Sequence, residues 1–125
     1  MHKLSKEYLA ECVQALDIEQ TDSLSSTDNW AHVNKTLVHQ DWDILYKKLA
    51  EYVDETAVNN ESVQALMKEH FEIACRFYIP SKKAYIGMAI FYNQNEDMKK
   101  FHNSYHPAMV EYLGDAIVYY ADNNL

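Results

Sequence analysis

A chain of 125 residues sits inside the ordinary single-domain range, long enough to bury a core and too short for two comfortable domains. Its formal charge is -8 with a pI near 5.1, and Arg76 is its only arginine. Phosphate-backbone binding needs a basic surface and base reading leans on arginine, so nucleic acid is excluded as the expected partner.

Glycine and proline are scarce and no stretch alternates strictly between turn residues, so apolar spacing of three and four residues governs the whole chain. The expectation is an all-α fold, one helical domain over residues 1–125. A first helix is predicted from Ser5 to Leu16, with Ser5 as N-cap and Tyr8, Leu9, Cys12 and Leu16 on one face. Glu19 to Asn29 is polar and reads as a linker or mobile loop, which makes residues 1–29 a candidate mobile segment. From Trp30 the apolar pattern resumes through Val33, Leu37, Trp42, Leu45, Tyr46, Leu49 and Val53, as one long helix or two meeting near Gln40. Asn60 caps the next helix, whose stripe is Val63, Leu66, Met67, His70, Ala74 and Phe77, with Glu72 and Arg76 spaced as an outer i,i+4 pair. Pro80 forces Ile79 out of helical geometry, and Ser81 caps a fourth helix through Tyr92. That helix is apolar all round, so it must be buried on several sides. A short helix over Glu96 to Phe101 and a last one from Pro107 to Ala121 complete the chain. Gly87 and Gly114 lie inside helices, where each costs roughly 1 kcal/mol relative to alanine, and close helix crossing or close ligand approach would compensate.

Aromatic residues crowd between Phe71 and Tyr120, with tyrosines in two heptad-spaced sets: Tyr78, Tyr85 and Tyr92, then Tyr105, Tyr112 and Tyr119. Each buried tyrosine must place a hydroxyl as well as a ring. An aromatic stripe at helical spacing is ordinarily core, but so many hydroxyls suit a surface that is apolar and polar at once, such as a ligand cleft.

Motifs for chemistry are absent. Cys12 and Cys75 form no CxxC pair, which makes them reduced structural thiols. No histidine follows a glutamate at the spacing of a di-iron bundle, HExxH is missing, and Pro107 spoils a helical pair of His102 and His106, so no metal and no other cofactor is expected. There is no GxSxG elbow, phosphate loop or dinucleotide fingerprint, and the reading is non-enzymatic, with no catalytic residues. His70 lies on an inner stripe, where a hydrogen-bonded core role outweighs a ligand role. Met1 to Ala10 lacks the apolar centre of a signal peptide and no apolar run reaches membrane-spanning length, so the expectation is a cytoplasmic protein without a membrane partner.

The run ESVQALMKEHFEIACRFYIPSKKAYIGMAIFY from Glu61, followed by KKFHNSYHPAMVEYLGDAIVYYAD from Lys99, resembles the TipAS antibiotic-recognition domain, the effector domain of a branch of MerR-type regulators. The matching features are the Val63-Gln64-Ala65-Leu66 opening, His70, the Phe77-Tyr78 pair before a turn, Tyr85 with Gly87 and Met88, Tyr92, Phe101, Tyr105 and the Ala116 to Ala121 ending. The resemblance implies a globin-like arrangement of about five to seven helices around an aromatic cleft for large polycyclic antibiotics such as thiopeptides. It further implies a stand-alone form, without the DNA-binding domain, that sequesters drug and so confers antibiotic resistance. Two positions depart from the pattern: Ala108 follows Pro107 in place of an expected glycine, and no cysteine follows Phe77-Tyr78 for covalent capture. The ligand-binding candidates are His70, Phe77, Tyr78, Tyr85, Met88, Tyr92, Phe101, Tyr105 and Tyr112, for a small aromatic molecule. Two alternatives stand beside it: an acidic module that regulates a protein partner, and a haem-binding globin-like protein using His70.

Overall fold

The computed structural model describes residues 4–125, and five of the six helices found among them begin behind a serine or asparagine whose side chain caps the first turn. Ser5 accepts from the Tyr8 backbone N–H to open α1 (Lys6–Ser26), and Asn34 accepts from Leu37 N–H to open α2 (Lys35–Ala50). The Asn60 side chain takes the Ser62 and Val63 N–H groups at the start of α3 (Glu61–Ala74), and Ser81 takes that of Ala84 at the start of α4 (Lys82–Gln94). Asn95 ends α4 and caps α5 (Glu96–Asn103) through the Met98 N–H, and α6 (Met109–Asn124) follows Pro107. No strand occurs among the described residues, and none of their helices is long and apolar enough to cross a membrane.

The centre of the molecule is α4, as its all-round apolar sequence requires. It buries Ala84, Tyr85, Ile86, Gly87, Ala89, Ile90 and Tyr92 and packs against α1, α5 and α6, while α3 joins α2 to α6. The crossing with α1 is close. A Cβ on Gly87 would sit 2.4 Å from the Cys12 carbonyl oxygen and 2.9 Å from Leu16 Cβ, so helix crossing is the reason this position is glycine.

Three local expectations are corrected. The stretch from Glu19 to Ser26 is not a linker but the last two turns of α1. Its polar groups have partners: the Glu19 carboxylate accepts from the Ser81 N–H and hydroxyl, and the buried Ser23 accepts from the Trp30 indole. Trp30 and Val33 lie in the turns before α2, and Phe77 lies beyond the C-terminal end of α3. Arg76 is likewise outside α3, so instead of pairing with Glu72 it reaches Asp41 on α2 at 2.7 Å.

Candidate functional site

The turn between α1 and α2 is built on three consecutive left-handed residues, Asp28, Asn29 and Trp30, with φ of 51°, 57° and 62°. Aspartate and asparagine tolerate that region; tryptophan does so at a cost of roughly 1–2 kcal/mol. Trp30 is held there by its backbone N–H donating to Thr27 Oγ1 at 3.1 Å, its indole Nε1–H donating to Ser23 Oγ at 2.8 Å, and its ring meeting Phe77 edge-on at 4.8 Å. His32 fastens the same turn to the end of α3, its Nε2 lying 3.1 and 3.2 Å from the Arg76 and Phe77 carbonyl oxygens.

These contacts place Trp30 over a cavity of about 140 Å³ lined by Leu16 and Gln20 of α1, Trp42 of α2, Ala74, Phe77, Tyr78 and Pro80 around the α3–α4 connection, and Met88, Phe91 and Tyr92 of α4. One wall is a stack of rings, with Phe77 6.2 Å from Trp42 and nearly parallel to it, and Trp42 5.4 Å from His70. Two polar atoms of the lining residues, Trp42 Nε1 and Tyr78 Oη, are buried without a hydrogen-bond partner. Burial and the Glu19 charge push the Tyr78 hydroxyl up to about 12, so it stays a neutral donor.

Behind this wall runs a chain of buried hydrogen bonds whose direction is fixed at one end. The Met98 carbonyl can only accept, so His102 Nδ1, 2.7 Å away, carries the proton. Burial lowers the pKa of His102 and, with His102 as neighbour, that of His70 to about 3, so both rings are neutral. His102 Nε2 therefore accepts from the Tyr46 hydroxyl at 3.2 Å, Tyr46 accepts from His70 Nε2–H at 3.1 Å, and His70 Nδ1 accepts from the Tyr85 hydroxyl at 2.8 Å. Tyr92, a cavity wall, has its hydroxyl beside that of Tyr46. All four members of the chain are buried, so each polar atom depends on the next.

Of the nine candidate site residues, Phe77, Tyr78, Met88 and Tyr92 line this cavity together. His70 and Tyr85 stand behind it in the hydrogen-bonded core, both fully buried. His70 engages both ring nitrogens in that chain, which leaves no free nitrogen for a haem iron. The remaining three lie elsewhere. Phe101 is 43% exposed and packs on Tyr46 and Tyr105, Tyr105 donates to Asp43 at 2.6 Å, and Tyr112 donates to the Thr56 carbonyl at 2.8 Å. Sequence reasoning passed over Trp30, Trp42, Leu16, Gln20 and Phe91. Tryptophan is the one signal that could have flagged the first two, since both tryptophans of the chain meet here.

The family model described as the TipAS antibiotic-recognition domain matches residues 4–120, nearly the whole chain. No curated protein and no solved structure matches the chain.

Proposed function

The chain belongs to the TipAS antibiotic-recognition domain family, and from that premise we propose that it is a non-enzymatic binding protein that captures an aromatic, polycyclic compound of the thiopeptide kind by seating one of its rings in the cavity between Trp30, Trp42, Phe77 and Tyr92. The observation that carries this reading is the pair of unpartnered buried donors, Trp42 Nε1 and Tyr78 Oη, belonging to two residues that line a ring-lined cavity. Leaving such groups unsatisfied costs stability, about 1–3 kcal/mol each, and a ligand acceptor between them would recover it.

Size sets how the cavity is used. At about 140 Å³ it is smaller than the usual ligand pocket and matches a cavity that accepts a single benzene-sized ring. Burying about 200 Å² of ring surface yields roughly 5 kcal/mol. Two hydrogen bonds add about 1 kcal/mol each, and association costs at least roughly 4 kcal/mol. The remainder, about 3 kcal/mol, corresponds to affinity weaker than millimolar. Tight capture therefore needs contacts beyond the cavity.

The test uses Tyr78→Phe, which keeps the ring and deletes its donor, and Trp42→Phe, which deletes the indole donor and leaves a smaller aromatic ring. Calorimetric titration with a panel of thiopeptides and other polycyclic antibiotics should find a binder that both variants weaken about fivefold or more, one ordinary hydrogen bond. The melting temperature of Tyr78→Phe should hold or rise, because an orphaned polar atom has been removed with the ring in place. Absence of any binder, or full affinity in both variants, would refute the reading.

A further inference from the structure

A second depression lies beside the cavity, a groove of about 790 Å³ between the outer faces of α1 and α4. Leu16, Gln20 and Phe91 line both, so the cavity and the groove meet at these three side chains. The groove runs from Lys6 to Gln20, about 20 Å along α1 at 1.5 Å per residue. Its apolar strip is Leu9, Val13 and Leu16 facing Ile90 and Phe91, and it leaves Val13 40% and Phe91 44% exposed. Along its edges stand the carboxamides of Gln14, Gln20 and Gln94, which hydrogen-bond to no described residue. Carboxamides present a donor and an acceptor together, which is the complement of an amide group.

We infer that the α1–α4 groove is the second compartment of the ligand site, holding an extended, amide-bearing arm of the compound whose ring enters the cavity. The inference rests on the cavity being the ring site. It supplies what the cavity lacks, since a ring alone is held too weakly and the shared walls at Leu16, Gln20 and Phe91 leave the ring's substituents facing the groove. In this arrangement Phe91 stands between the two compartments and touches both parts of the ligand. The occupant thus carries, beside its flat aromatic end, an extended peptide-like arm.

Two probes separate the compartments: indole-3-acetamide, and indole-3-acetyl carrying a four-residue leucine–alanine amide tail, which reaches about 13 Å when extended. Affinities are measured by titration on the full chain, its Val13→Glu variant, which places a charge in the groove at an exposed position, and Trp42→Ala. The tail should tighten binding about tenfold or more over the bare ring. Val13→Glu should erase that gain while holding the bare ring's affinity within about twofold, the ordinary effect of a surface change, and Trp42→Ala should weaken both probes. A bare ring that binds with no gain from the tail overturns the groove and leaves the cavity reading standing. Failure of the bare ring to bind, even at tens of millimolar, overturns both. Sedimentation adds one outcome: dimers of the free chain that Val13→Glu dissociates would make the groove a subunit interface and overturn the inference.

Discussion

Tyr85 and His70 show how one hydroxyl holds a buried ring in place. Removing only that hydroxyl, as in Tyr85→Phe, strips His70 Nδ1 of its donor inside a fully buried cluster and should cost about 1–3 kcal/mol. Tyr85→Ala also empties core volume and should cost about 3–5 kcal/mol in denaturant melts. The same cluster makes stability depend on pH. Burial keeps the folded His70 near 3 while the unfolded ring titrates at 6.5, so between these values the unfolded chain binds a proton that the folded one refuses. His70's contribution is complete above pH 6.5 and is lost as pH falls, at about 1.4 kcal/mol per pH unit. Urea melts between about pH 6 and 4 should show that slope, and His70→Gln should remove about one proton's worth of it; an unchanged slope in the variant would mean the ring is already charged in the fold. At this scale the sequence was half legible. The inner stripe of α3 marks His70 as a hydrogen-bonded core residue, whereas Trp30 reaches the cavity only through a left-handed backbone that no side-chain periodicity encodes.

Between elements, the crossing of α1 and α4 has the least room for change. A methyl group on Gly87 would press on a backbone carbonyl, which cannot rotate aside as a flexible side chain would. Overpacking of this kind costs about 1–3 kcal/mol, against a gain of about 1 kcal/mol in helix propensity. Gly87→Ala should therefore lower stability by up to roughly 2 kcal/mol, read as a reduced denaturant midpoint at unchanged slope. A raised midpoint would show that the two helices separate freely. Element boundaries were legible where a cap preceded an apolar stripe, as at Ser5, Asn60 and Ser81. They failed at the end of α1, because Glu19 and Ser23 look like loop residues until Ser81 and Trp30, distant in sequence or beyond a reversal, supply their partners.

For the molecule as a whole, apolar spacing was enough to foresee a helical domain, but not the order in which the helices pack, since that order is set by crossings such as Cys12 over Gly87 and ties such as Glu19 to Ser81. That order has a dynamic consequence. Helix α4 is braced by three neighbours and α3 by two, whereas α1 leans chiefly on α4, through a seam of Cys12 and Leu16 on a 21-residue helix whose other side chains, Ser23 apart, are half-buried or exposed. A helix held along one seam opens at lower free energy than one held along several, and once undocked it loses the tertiary packing that supplies most helical stability. Hydrogen exchange should therefore be faster at residues 9–23 than at residues 63–73. Because Leu16 and Gln20 line the cavity and the groove alike, a ligand filling both would add contacts to that same seam and slow exchange there more than in α3. Equal protection of the two segments in the free chain would show that α1 opens only with the whole fold, and a bound ligand would then raise the protection of both segments together.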